Sequence, residues 1–144
     1  VYDQEELIGL VYNVYYKDII YISYLAIDDT KRGAGYGGRI LQTIQKKYSD
    51  SRIFLCIEEM DPNAENYEQR VRRKAFYESN GFKMLPFQVK EGIVMYDAMC
   101  VADREPEITR KECDELMKHY FGIWTFVIYV KKYTDKIVEL FAKK

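Results

Sequence analysis

The chain has 144 residues, a length that suits one domain with a single hydrophobic core. Apolar residues make up 48% of it, which is typical of a globular protein, so the composition gives no reason to expect a disordered chain. Its net charge of −1 gives no basic field of the kind that binds nucleic acid, so no nucleic-acid partner is expected.

Two strands open the predicted fold. Residues 6–16 and 19–27 are rich in β-branched and aromatic side chains, and the two residues between them suit a tight turn, so an antiparallel hairpin is expected. A polar break at 28–31 and a glycine-rich stretch at 32–38 follow. From there apolar residues recur at helical spacing as far as Tyr48.

The second half of the chain continues the alternation of strands and helices. Residues 53–57 form a short apolar run typical of a buried strand, and residues 67–79 predict a helix that Gly81 ends. Residues 82–89 and 93–101 predict two more strands. Thr109 and Glu112 have the spacing of a capping box, which predicts a helix start.

The order of elements predicts a mixed α/β (α+β) fold, with an antiparallel hairpin followed by one βαβ crossover around the glycine-rich stretch. We expect a core at 1–102 and a helical extension at 103–144 packed on the same domain. Helix is favoured over strand in the last third, whose aromatics suit packing and contact between two copies of the chain. Because the chain opens at Val1 almost directly with a strand, we infer that N-terminal residues are missing.

Metal and membrane sites are not predicted. Cys56, Cys100 and Cys113 are widely spaced and make no cluster with the lone His119, so no metal centre is expected. Unpaired thiols favour a reducing compartment, and no apolar run reaches the roughly 18 residues of a membrane span. The expected location is therefore the cytoplasm.

The glycine-rich stretch Arg32-Gly33-Ala34-Gly35-Tyr36-Gly37-Gly38 suggests an anion site. Glycines allow sharp turns and close approach of a ligand to main-chain N–H groups, and the start of a helix offers unpaired donors. Arg32 adds a charge-assisted hydrogen bond. The ligand expected here carries a phosphate or a diphosphate.

A dinucleotide is one candidate ligand. Gly33, Gly35 and Gly38 match the G-x-G-x-x-G pattern, and Glu58 follows about 20 residues later, as that pattern requires. However, such a glycine turn directly follows the first strand of a parallel sheet. Here the polar break intervenes, the strand belongs to an antiparallel hairpin, and too little chain remains for further parallel strands. This interpretation is the weaker one.

Coenzyme A is the other candidate. Leu25-Ala26-Ile27-Asp28, a polar gap and then residues 32–37 resemble the acyl-CoA signature Q/R-x-x-G-x-G/A of the GNAT N-acetyltransferases. A second stretch, residues 75–82 (AFYESNGF), resembles that family's pattern F/L-Y-E-x-x-G-F. The two motifs lie in the family's order, and the resemblance covers residues 6–101.

The resemblance has two gaps. Family members commonly carry an asparagine seven positions before the motif tyrosine, where this chain has Arg70; Asn63 and Asn66 are the nearby substitutes. The family also has a strand and one or two helices ahead of the hairpin, which usually form one wall of the acceptor site. No counterpart of them is present here.

The resemblance implies acetyl-CoA as cofactor and an amine as acceptor. The Ile27 N–H would bind the thioester carbonyl, and Tyr77 would protonate the departing thiolate. The residues implied in cofactor binding are Leu25, Ala26, Ile27, Arg32, Gly33, Ala34, Gly35, Tyr36, Gly37 and Gly38.

The base and the acceptor stay open at this point. Glu58 and Glu59 end a strand near the expected cleft. Two interpretations are open: one of them takes a proton from the amine, or both are surface charges at the end of the strand. Tyr21, Ser23 and Tyr24 are candidates for the acceptor pocket, although core packing is favoured for two of them. The alternatives to an enzyme are a GNAT-like module that senses acyl-CoA without turnover and a purely structural protein.

Overall fold

The computed structural model describes residues 1–91 and 93–122, so the helix expected for the last third lies largely outside the described residues. The first four strands are β1 (Tyr2–Asp3), β2 (Glu6–Leu7), β3 (Gly9–Tyr16) and β4 (Ile19–Ile27). After a 3₁₀ turn (Asp29–Lys31) come α1 (Tyr36–Lys47), β5 (Arg52–Glu58), α2 (Tyr67–Ser79), β6 (Phe82–Glu91) and β7 (Val94–Val101). The last described element is α3, at residues 110–122.

The predicted mixed α/β fold is confirmed, with one difference at the start. The first predicted strand, 6–16, is two strands: β2 pairs with β1, and β3 pairs with β4. Ile8 between them is fully buried, which turns the chain inward and breaks the strand. Only glycine can begin β3, because a Cβ on Gly9 would lie 2.2 Å from the carbonyl oxygen of Ala26.

The main sheet has the order β3-β4-β5-β7-β6, in which only β4 and β5 run parallel. Their pairing ends at Ile22 and Leu55, although β4 continues to Ile27 and β5 to Glu58. The two strands therefore diverge and leave a gap between residues 23–27 and 56–58. A bulge at Ser23 marks the point of divergence, since Tyr12 pairs with Tyr24 while Asn13 pairs with Ile22.

Each face of the sheet buries its own apolar cluster. On the first face, α1 and α2 pack over alternate strand residues, including Leu41 of α1 against Ile53 and Met99. On the second face, α3 contributes Leu116, which packs with Phe54 of β5 in the cluster that also holds Tyr21. Fully burying a side chain of this size contributes about 2 kcal/mol, so both layers of helices are held by the sheet.

A charged network joins α3 to the sheet. Thr109 and Glu112 form the predicted capping box: the Thr109 N–H donates to Glu112 Oε2 at 2.9 Å, and the Glu112 N–H donates to Thr109 Oγ1 at 3.3 Å. The buried guanidinium of Arg52 donates to Glu112 at 2.8 Å and to Asp18 at 2.7 and 2.9 Å. These hydrogen bonds from Arg52 are the main reason that the pKa of Glu112 falls to about 2. None of the helices in the described part of the chain has the length and apolarity needed to cross a bilayer.

Candidate active site

A groove of about 850 Å³ runs between the divergent end of β4, the glycine-rich loop and the outer face of α2. Its wall on the β4 side is formed by residues 24–27, and its floor by residues 31–33 and 35–38. The opposite wall consists of five α2 side chains: Gln69, Arg72, Arg73, Phe76 and Tyr77. The structure thus brings the two sequence motifs to the same groove, although Ala34, Glu58 and Glu59 are not among the residues that line it.

The glycine-rich loop presents unpaired main-chain donors. Gly33 and Gly35 adopt φ angles of 81° and 77°, a left-handed conformation that favours glycine. α1 then begins at Tyr36 without a side-chain cap at Gly35. No main-chain N–H from 33 to 38 has a hydrogen-bond partner among the described residues. The loop therefore offers main-chain donors, and the positive end of the α1 dipole offers a partial charge, of the kind that favours an anion.

The later glycines have a second role that the sequence motif did not reveal. A Cβ on Gly37 would lie 3.0 Å from the Phe76 ring, and one on Gly38 would lie 3.0 Å from the Asn80 side chain. Glycine here therefore lets the start of α1 lie directly against α2. The sequence signal for this contact was the aromatic pair Phe76 and Tyr77 in the second motif, since the Phe76 ring packs against Gly37.

Four cations line the groove, each in an exchangeable ion pair. Lys31 pairs with Glu6 at 2.7 Å, Arg32 with Asp29 at 2.6 Å, Arg72 with Glu68 at 3.6 Å and Arg73 with Glu58. Exposed pairs of this kind are worth about 0–1 kcal/mol, so an anionic ligand can replace the carboxylates at little cost. Among the described residues that line the groove are these four cations and no Asp or Glu, on a chain that is nearly neutral overall.

Tyr77 is largely buried in the groove wall. Its ring packs edge-on against Phe76 and Phe82, with centroids 5.2 and 5.9 Å apart. Burial raises the pKa of Tyr77, and the nearby positive charge of Arg73 opposes this effect only in part. Within the described chain its hydroxyl has no hydrogen-bond partner. Tyr77 therefore keeps its proton at neutral pH and can donate it to a ligand.

Glu58 and Glu59 are both engaged with other side chains. The carboxylate of Glu58 pairs with Arg73 and accepts a hydrogen bond from Asn66 Nδ2 at 3.1 Å. A carboxylate oxygen of Glu59 accepts from Gln88 at 3.3 Å. Of the two suggested asparagines, Asn66 is thus turned towards Glu58, and the side chain of Asn63 donates to Asp61 at 3.2 Å.

The second face of the sheet holds polar groups that the sequence analysis did not connect. The Tyr21 hydroxyl donates to Glu91 Oε2 at 3.2 Å, and Ser23 Oγ lies 3.0 Å from the hydroxyl of Tyr120. Tyr24 is exposed and lines the groove instead. Glu91 was missed because it falls between the two predicted strands at 82–89 and 93–101, and no pattern relates it to a tyrosine 70 residues earlier.

Comparison with known proteins identifies the domain type. A family model described as an acetyltransferase (GNAT) domain matches residues 1–84, more than half of the chain. A search of curated protein sequences finds no match.

Solved structures share the fold at low sequence identity. One is a Bacteroides thetaiotaomicron protein assigned to the GNAT acetyltransferases, with 23% identity and a TM-score of 0.61; the match covers 83% of this chain and 66% of that one. A second is an aminoglycoside 6'-N-acetyltransferase complexed with coenzyme A, with 18% identity, a TM-score of 0.53 and coverage of 74% and 73%. A third is a Bacillus subtilis acetyltransferase in complex with CoA, with 12% identity, a TM-score of 0.51 and coverage of 69% and 72%.

Proposed function

Because the chain belongs to the GNAT acetyltransferase family, we propose that it is an N-acetyltransferase that uses acetyl-CoA to acetylate a primary amine. The observation that carries the proposal is the juxtaposition of unpaired loop amides and the Tyr77 hydroxyl in one groove. The first supplies a diphosphate site and the second a proton donor. A cytoplasmic location and contact between two copies of the chain stay predictions.

The groove has the features that coenzyme A requires. The loop offers consecutive donors to a diphosphate, and space is open where side chains would project from Gly33 and Gly35. The gap between β4 and β5 leaves strand edges free for the amide groups of a pantetheine arm. When bound, acetyl-CoA supplies an acetyl group that is already activated as a thioester.

Main-chain groups would hold the cofactor's polar parts. We assign its diphosphate to the backbone of residues 32–38, with the guanidinium of Arg32 as an additional donor. At the other end of the groove, the Asp28 N–H bonds to the Ile8 carbonyl at 2.9 Å. Because successive amides of a strand point to opposite edges, the Ile27 N–H points into the gap, where it can donate to an oxygen that gains negative charge. Leu25 and Ala26 complete this edge.

Tyr77 has the role of proton donor. Its ring is fixed by Phe76 and Phe82, so its hydroxyl is held at the groove without a competing partner in the described chain. Its pKa is raised by burial, so the proton stays on oxygen at neutral pH. Because a thiol, with an ordinary pKa of about 8.5, is the stronger acid of the two, proton donation to the departing thiolate depends on the position of the hydroxyl and not on its acid strength. For the proton that leaves the amine, Glu58 and Glu59 remain the candidates from the sequence.

Calorimetric titration with acetyl-CoA, followed by thiol release in the presence of an amine panel, tests the proposal. We expect acetyl-CoA to bind and thiol release to depend on an amine. Gly35→Asp should weaken binding much more than Gly35→Asn, since both side chains tolerate positive φ but only Asp repels a phosphate. Absence of binding would refute the proposal, while tight binding without amine-dependent release would indicate a sensor of acyl-CoA.

A further inference from the structure

Glu91 forms a buried contact that the proposed chemistry has not used. Its carboxylate accepts a hydrogen bond from the Tyr21 hydroxyl at 3.2 Å, on the sheet face that α3 covers. The Tyr21 ring is 1% exposed, stacks on Phe54 at 4.8 Å and meets Tyr120 edge-on at 6.0 Å. The carboxylate is therefore held at a fixed position by a rigid aromatic group.

This position lies at the apex of the gap between β4 and β5. Tyr21 precedes the last paired residue of β4, and Cys56 follows the last paired residue of β5. Side chains two residues apart share a face of a sheet, so Tyr21, Phe54 and Cys56 are on the same face. Glu91 thus reaches, from β6, the point where the two parallel strands separate, on the face opposite α1 and α2.

The surroundings of Glu91 are neutral or acidic. Tyr21 faces it from β4, Cys56 from β5 and Tyr96 from β7; burial raises the pKa of all three groups, and the charge of Glu91 raises each of them further. The charge of Glu58 also raises the pKa of Tyr96. In the part of the chain that the structure describes, Glu91 has no ion pair, whereas Glu58 is paired with Arg73.

A half-buried carboxylate of this kind has a raised pKa, here because burial outweighs the hydrogen bond from Tyr21. It favours a cation as its missing partner. The partly exposed ring of Tyr96 beside it can also attract a cation, whereas the ring of Tyr21 is already covered by Phe54 and contributes only its hydroxyl. An ammonium ion supplies both the charge and a donor for the carboxylate. Glu58, by contrast, already has a cationic partner in Arg73.

We propose that the acceptor binds as a primary ammonium ion beside Tyr21 and Tyr96, and that Glu91 takes its first proton. This inference rests on the proposed N-acetyltransferase function and adds the charge of the acceptor and the base. Glu91 accepts one proton from R–NH₃⁺, which leaves a neutral amine and a carboxylic acid that returns the proton to water. As the C–N bond forms and the C–S bond breaks, the electron pair stays on sulfur. The nitrogen loses its second proton as the amide forms, and this proton replaces the one that Tyr77 gives to sulfur.

Glu91→Gln is the variant that tests the inference, since glutamine keeps the shape and the acceptor for Tyr21 but cannot take a proton. We expect acetyl-CoA affinity within about twofold of the wild type, weaker calorimetric binding of the ammonium to the coenzyme A complex, and kcat/KM for the amine lower by about 10²-fold. Glu107→Gln is the matched control. Glu107 pairs on the surface with Lys83, at the opposite end of β6, and all three quantities should stay within about twofold.

The pH profile separates a base from a merely structural residue. Only the ionised carboxylate accepts a proton, so wild-type kcat/KM should fall as pH drops through the raised pKa of Glu91. This acidic limb should be absent in Glu91→Gln. If the wild type acetylates an amine while Glu91→Gln has the same kcat/KM and the same acidic limb as the wild type, Glu91 is not the base, and the proposed transferase function still stands. A wild type that binds acetyl-CoA but neither binds nor acetylates any ammonium in the panel overturns the inference and the transferase proposal together.

Discussion

Tyr77, the proposed proton donor, owes both its position and its protonation state to packing. Its ring is clamped by Phe76 and Phe82, and its hydroxyl reaches the groove without a partner in the described chain. The burial that fixes the ring also raises the pKa of its hydroxyl. Position and protonation state therefore have one cause, the packing of α2 on the sheet.

Replacing Tyr77 by phenylalanine removes the hydroxyl and keeps the ring. We expect thiol release to fall by about 10²-fold, the magnitude of a lost general acid, while acetyl-CoA affinity stays within about twofold. The measurement is kcat with the best amine beside a calorimetric dissociation constant. Tyr67→Phe, at the far end of the same helix, is the control and should match the wild type in both. Undiminished thiol release in Tyr77→Phe would remove Tyr77 from the mechanism.

Single residues were predictable where chemistry follows local spacing. Gly33, Gly35 and Tyr77 could be named as candidates because their motifs are contiguous in the chain, and all three line the groove. Glu91 was not, since only the folded sheet brings it to Tyr21. The contact of Gly37 with Phe76 was missed for the same reason, because it depends on how closely two helices approach.

At the scale of elements, the start of α3 combines a local signal with a distant one. Its capping box was evident from Thr109 and Glu112, and the structure confirms it. What the sequence did not show is that the same carboxylate also binds Arg52, which ties the helix to β5 and, through Asp18, to the β3–β4 turn. One charged group thereby organises three elements.

Glu112 makes the free energy of unfolding depend on pH. The folded pKa of about 2 lies below the ordinary value of 4.5, so its contribution is complete above pH 4.5 and is lost as the pH falls towards 2. Glu112→Gln can still cap the helix but loses the charge, and we expect it to be destabilised at pH 7 by about 2 kcal/mol, typical of hydrogen bonds to charged groups. Urea unfolding at pH 7 and pH 3 measures both effects.

The same urea experiment has a surface control in Glu107→Gln, whose stability should stay close to that of the wild type at pH 7. The difference between wild type and Glu112→Gln should shrink at pH 3. A difference that stays constant between the two pH values would mean that the ionised carboxylate is not what stabilises α3.

The strands and helices themselves followed from sequence patterns, but the exact limits of pairing did not. The β-branched and aromatic residues of 6–16 and 19–27 predicted a hairpin, yet burial of Ile8 divides its first strand. Similarly, nothing in the apolar run at 53–57 indicates that parallel pairing stops at Leu55. Such limits depend on the twist and bulge of the assembled sheet.

For the whole molecule, charge distribution matters more than net charge. The chain carries a net charge of −1, yet Lys31, Arg32, Arg72 and Arg73 converge on one groove. The overall fold class was predictable because the order of elements alone admits few topologies. The convergence of these four cations on one groove was not predictable, since they come from two segments about 40 residues apart that the βαβ crossover brings together.

This concentration of charge predicts that cofactor binding depends on salt. Raising ionic strength from 0.02 to 0.5 M shortens the screening length to a few ångströms, so the acetyl-CoA dissociation constant should rise by about tenfold. Arg72→Gln should weaken binding at low salt and reduce this dependence. Calorimetric titrations at the two salt concentrations measure it. Arg110→Gln, on the exposed side of α3, should behave like the wild type. Equal salt dependence in wild type and Arg72→Gln would argue against a role for Arg72.

The contact of Phe76 with Gly37 has a kinetic consequence. Phe76 adjoins Tyr77 in the chain, so the segment proposed to bind the diphosphate and the helix that carries the proposed proton donor touch directly. A ligand that displaces the start of α1 must also shift the Tyr77 hydroxyl relative to the gap in the sheet. We therefore expect an ordered kinetic mechanism, in which the acyl donor binds first and the amine second.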